Sequence, residues 1–154
     1  MEIYTVSFFG HRLINDIRSV EQHLDPIIEY LITTKEYVDF LIGRNGDFDQ
    51  LVASVIHRLR RRLGSSNSSL IWVMPYETAD YRNNAEYYEQ YYDEIEICQS
   101  SANGHYKSAY QERNRRMVDR SDLIIFYVEH LSGGAYYTLK YARKTSKAHI
   151  NLSE

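Results

Sequence analysis

Apolar positions along this chain follow two rhythms, short continuous runs and helical stripes. Ile3–Phe9 alternates and then runs apolar. Tyr37–Ile42 is the second strand, Leu70–Met74 and Leu123–Val128 are compact apolar runs, the pattern of strands covered on both faces, and Ala148–Leu152 is the last strand. Glu94–Cys98 predicts a short edge strand. Between the runs, Asp16–Thr33 places Val20, Leu24, Ile28 and Leu31 on one helical face, with Asn15 or Asp16 as cap. Pro26 predicts a kink, or a break near Asp25. Phe48–Leu63 is a second helix, with Asp47 as its N-cap and Asp49 in its first turn. Arg58, Arg60, Arg61 and Arg62 near its C-terminus complement the helix dipole. Tyr106–Arg120 and Gly134–Lys144 are two more helices, and Asn84–Tyr92 is a short helical candidate within the least regular stretch, Tyr76–Asn103. Strands and helices alternate throughout. The fold class is therefore α/β, one domain over residues 1–154, with a doubly wound, mainly parallel sheet and helices on both faces. Counting the five core strands, the expected order is 3-2-1-4-5.

In such a sheet a ligand binds beyond the strand C-termini, where the order reverses. Three glycine-bearing turns fall there: Gly10-His11-Arg12, the Gly43–Asp47 turn with Asn45 and Gly46, and His130–Gly134. Gly133, Gly134 and Ala135 would offer backbone N–H groups to an anion at a helix start. Arg12 and Arg113 would add charge-assisted bonds, with Asn114 beside Arg113. Asn45 or Asp49 would meet ribose hydroxyls.

Composition narrows the partners. A formal charge of −3 disfavours a general nucleic-acid binder. No apolar run approaches the roughly 20 residues of a membrane helix, and the N-terminus MEIYTVSFFGHR does not have the form of a signal peptide. Cys98 is the only cysteine, which excludes an internal disulfide and a Cys-rich zinc site and fits a cytoplasmic setting. No metal or cofactor is expected. Tyrosine is unusually common, 15 against 5 Phe, with six between Tyr76 and Tyr92. That segment reads as a mobile or partner-contacting flap, through which a homo-oligomer could assemble, or as an aromatic wall for a base.

The motifs SFFGHR, GRNGDFD, ERNRRMVDRSD and SGGAYYTLKYA, in this order, resemble the SLOG superfamily, the SMF/DprA–LOG Rossmann-like group, and within it the small stand-alone YpsA-like bacterial members. The resemblance implies a Rossmann-like fold that binds nucleotides or nucleotide-derived ligands. Arg113, four residues before Met117, fits the arginine of LOG-type phosphoribohydrolases. Against their Gly-Gly-x-Gly-Thr-x-x-Glu motif, Gly133 and Gly134 match, but Tyr136, Tyr137 and Lys140 stand at the third glycine, the threonine and the glutamate. A cation where that chemistry needs a carboxylate argues against hydrolysis. The expected function is thus a binding module or sensor for a nucleotide-derived small molecule. One alternative is an enzyme cleaving an N-glycosidic bond through His11, Asp49, Asp119 or Asp122. The other is an oligomeric interaction protein using the tyrosine-rich segment.

Overall fold

The computed structural model describes residues 1–98 and 105–154. Its elements are β1 (Ile3–Gly10), α1 (Ile17–Thr34), β2 (Tyr37–Ile42), α2 (Asp47–Leu63), β3 (Ser68–Met74), α3 (Ala79–Asn83), α4 (Ala85–Tyr91), β4 (Glu94–Ile97), α5 (Tyr106–Arg120), β5 (Leu123–Tyr127), α6 (Gly134–Lys144) and β6 (His149–Asn151). The six strands form one sheet in the order β4-β3-β2-β1-β5-β6, and every pairing is parallel. The five core strands keep the expected order, and the Glu94–Ile97 strand is added outside β3. Residues 99–104, part of the irregular stretch, lie outside the described residues.

Each central strand is apolar on both sides because both sides are covered. Phe40, Leu70 and Trp72 pack with Leu24, Ile28, Val52 and Ile56 under α1 and α2. Their neighbours Leu41, Ile71 and Val73 pack with Met117, Val118 and Leu139 under α5 and α6. Alternation along one strand thus feeds two cores.

Three local expectations need correction. Pro26 does not break α1, which runs unbroken from Ile17 to Thr34 with Asp16 as N-cap. Pro26 and Gln22 are both on the exposed face, so the carbonyl left without its helical donor faces water. Asp47 is not the cap of α2. Gly46 holds that position, and Asp47 is the first helical residue. The tyrosine-rich segment, expected as a flap or a ligand wall, is in large part packed core. Tyr81, Tyr88 and Tyr92 surround Trp72 at ring distances of 5.9, 5.0 and 5.2 Å, and Tyr88 and Tyr92 are buried. Arg44 lies 4.7 Å over the Tyr88 ring and donates to the Tyr92 hydroxyl at 3.2 Å. The segment is a satellite core laid over β3.

Three of the four arginines near the end of α2 are held by carboxylates. Arg58 pairs with Asp25 at 2.8 Å, Arg60 with Asp93 at 2.7 Å, and Arg62 with Glu29. These contacts join α2 to α1 and to the start of β4.

Candidate functional site

A cavity of about 280 Å³ opens beyond the C-termini of β1 and β5, where the strand order reverses. Gly10, His11, Arg12, Gly43, Asn45, Asp49, Arg113, Asn114, Gly133, Gly134 and Ala135 all line it. Gly46 does not. A Cβ there would stand 2.4 Å from Arg12 Cα, so this glycine lets two turns touch each other.

The start of α6 is the open part of the wall. Gly133 is its N-cap at φ +94°, a conformation that side chains resist. No side chain caps the helix, and its first turn carries no acidic residue. The N–H groups of Gly134, Ala135 and Tyr136 therefore have no acceptor inside the helix. A Cβ on Gly134 would meet no atom within 4 Å, so the approach is clear. Uncompensated donors at the positive end of a dipole form an anion site.

Opposite it, the start of α2 is sealed. Asp47 Oδ2 accepts the Ile14 N–H at 3.0 Å, and Asp49 Oδ2 accepts the Asn45 N–H at 2.9 Å. The Asp47 N–H donates to the Arg12 carbonyl at 2.8 Å, which fixes the main chain from which the exposed Arg12 side chain projects.

Arg113, from α5, forms the floor and is only 3% exposed. Its Nη1 donates to the Val73 carbonyl at 3.0 Å, and its Nε and Nη2 donate to Asn114 Oδ1 at 3.0 and 2.8 Å. Three of the five guanidinium N–H groups are used, leaving one on each terminal nitrogen. Asn114 Nδ2 passes the chain on to Thr138 Oγ1 at 3.1 Å, and Thr138 donates to the Gly134 carbonyl at 2.8 Å. The buried arginine thus holds the glycine turn through two side chains. A Cβ on Gly43 would lie 2.8 Å from Arg113 Nη1 and 3.2 Å from Asp49 Oδ2, so only glycine lets both charges reach the floor. Burial pushes the Asp49 carboxyl up, opposed by the Asn45 N–H and by Arg113. Burial pulls the Arg113 guanidinium down, opposed by Asp49.

His11 has a defined task that differs from general acid catalysis. Its Nε2 accepts the N–H groups of Glu129 at 2.8 Å and His130 at 3.2 Å, pinning the loop that leads to Gly133. That nitrogen therefore carries a lone pair and no proton. Burial lowers the His11 pKa, the His130 charge lowers it further, and Glu129 opposes both. Asp119 and Asp122 are at the other rim, where α5 runs into the start of β5. Asp119 accepts from the Tyr141 hydroxyl at 2.7 Å, and Asp122 Oδ2 accepts the Thr5 N–H at 2.8 Å. Neither lines the cavity, so both fall away as catalytic candidates.

Tyr110 is a wall residue that the sequence reading did not single out. It is half-buried on α5, lines the cavity, and has Arg113 5.1 Å over its ring and Tyr76 edge-on at 6.0 Å. Its spacing of three from Arg113 was the available signal. Among the described residues, no group of three or more His, Cys, Asp or Glu could hold a metal ion. No helix of the described residues is long and apolar enough to cross a membrane.

Neither a protein-family model nor a curated protein sequence matches this chain. Solved structures do. One is DNA processing protein A from Helicobacter pylori, whose structure concerns its single-stranded DNA binding mode: TM-score 0.67, 17% identity, over 95% of this chain and 63% of that one. Another is DNA processing protein A (DprA) from Streptococcus pneumoniae: TM-score 0.61, 14% identity, over 96% of this chain and 49% of that one. The chain therefore spans about half to two-thirds of these structures.

The comparison corrects two expectations. A fold relative binds single-stranded DNA, which overturns both the small-molecule sensor reading and the setting aside of nucleic acid. The net charge of −3 does not argue against nucleic acid at every part of the surface, because charge is unevenly spread along the chain. Residues 77–96 hold seven carboxylates against Arg82 alone, a sum of −6, which leaves +3 for the rest of a chain totalling −3. The fold is the DprA-type Rossmann-like fold.

Proposed function

We propose that this domain binds single-stranded nucleic acid, with one nucleotide of the strand at the cavity beyond β1 and β5. The carrying observation is the uncapped, acid-free start of α6 opening into that cavity beside Arg12 and Tyr110. A backbone phosphate takes the N–H groups of Gly134 and Ala135, with Arg12 adding charge. Tyr110 offers a ring for a base, a contact worth roughly 1–3 kcal/mol per base. Asp49 repels phosphate, so it faces the donor groups of the sugar or base. The single-stranded DNA binding of a fold relative supports the same reading.

Within the superfamily we place the chain with the small YpsA-like members, on the order of its four motifs, and in the cytoplasm, on its lone Cys98. Fluorescence anisotropy with a labelled dT oligomer at low salt tests the function. Binding that weakens linearly in log–log with added salt is expected. Absence of binding to both DNA and RNA single strands at low salt would rule it out.

A further inference from the structure

A second concavity of about 270 Å³ adjoins the first and shares Gly134 with it. It lies between α5 and α6 and is lined by Arg115 on one helix and Tyr137 and Lys140 on the other. We infer that this groove is a second nucleotide-binding subsite, the path along which a single strand leaves the cavity. The inference rests on the function proposed above.

Four observations carry it. First, Arg115 and Lys140 are exposed and have no carboxylate partner among the described residues. Each meets only a ring, Arg115 at 6.0 Å over Tyr141 and Lys140 at 5.5 Å over Tyr136. Their neighbour Arg116 is held by Glu112 at 2.8 Å, so the free cations belong to this groove and not to the cluster as a whole. Second, Tyr137 is 54% exposed, a stacking surface beside two cations. Third, Gly134 is common to both concavities, and nothing stands within 4 Å of where its Cβ would be, so the path between them is unobstructed. Fourth, the other direction is disfavoured by charge: residues 77–96 hold seven carboxylates against Arg82, and with Asp93 and Glu96 paired to Arg60 and Arg120 an acidic surplus still remains on the β4 side of the sheet. The groove is short. From Gly134 to Tyr141 α6 rises about 10 Å. The groove's far end is Tyr141, whose hydroxyl is tied to Asp119. It therefore takes the next one or two nucleotides and not a long run.

The substitution that separated this chain from base-releasing enzymes gains a use here. Lys140 stands where their glutamate would be, and it faces a strand instead of a developing ribose cation.

The test compares a double variant, Arg115→Ala with Lys140→Ala, against the unaltered protein on two ligands, the mononucleotide pT and the octamer dT8. Both side chains are exposed, and circular dichroism checks that the fold is kept. The variant should bind pT, which fills the cavity alone, as the unaltered protein does. It should bind dT8 at least ~10-fold more weakly at low salt, with a log–log salt slope reduced by about 1.4, roughly 0.7 for each lost cation. Equal loss on both ligands, or no loss on dT8, would overturn the inference. If the unaltered protein binds dT8 no better than pT, the second subsite is excluded while the cavity stands. If it binds neither, the proposed function fails first and takes the groove with it.

Discussion

Helices α2 and α6 both begin at a glycine on the same rim of the sheet, and both N-caps lack a side-chain bond. Their first turns differ. In α2, Asp47 and Asp49 supply two carboxylates, and both are engaged with backbone N–H groups of neighbouring turns. In α6 the first turn holds Gly134, Ala135 and Tyr136, with no acid and no cap. One glycine turn ties loops together and the other leaves donors open. A glycine after a strand does not by itself mean a ligand; the residues that follow it decide whether the helix dipole is already answered.

The largest expected effect tests the charge beneath both turns. Arg113→Leu removes the donors to Val73 and Asn114 and leaves Asp49 buried without its nearby cation, at a cost of about 3–5 kcal/mol in urea unfolding. A loss below about 1 kcal/mol would mean that the arginine does not hold the floor. Next, Gly134→Asp gives α6 the first-turn acid that α2 has. Stability should rise by about 0.3–1 kcal/mol, while affinity for a dT oligomer falls at least ~10-fold. Unchanged affinity would remove the α6 start from the site.

The converse change, Asp47→Ala, opens α2. It leaves the Ile14 N–H without its acceptor and costs about 1 kcal/mol. Calorimetric stoichiometry should stay at one site; a second site would show that the sealing acids had been the only difference. The smallest effect is the pH response of the His11 pin. The native pKa is below the unfolded value of about 6.5, so the unfolded chain binds more protons as pH falls past it. The contribution of His11 is complete above that pH and is lost as pH drops toward the native value. In His11→Ala the pH slope of thermal unfolding between about 6.5 and 5 should be shallower than in the unaltered protein.

The sheet was legible because buried parallel strands have an unambiguous signature. Leu70–Met74 and Leu123–Val128 are apolar without alternation, and only double coverage explains that. The convergence of three glycine turns followed from strand order alone. What stayed hidden depended on partners far apart in the chain. Tyr81, Tyr88 and Tyr92 looked unattached because their anchor is a single residue, Trp72, on the outer part of the sheet. Asp47 has the chemistry of a cap, but its carboxylate goes to Ile14, 33 positions earlier. His11 was weighed as an acid because its loop bonds, to residues 118 and 119 positions away, are invisible in sequence.

The uneven charge of this chain also bears on time. Even with Asp93 and Glu96 paired to Arg60 and Arg120, residues 77–96 keep an acidic surplus, so the molecule has an electric polarity as well as a net sign. A polyanion diffusing toward it is repelled on the β4 side and drawn to the far half of the rim. Encounters are thereby pre-aligned before any contact forms, and association rates respond to ionic strength more steeply than the overall charge would suggest.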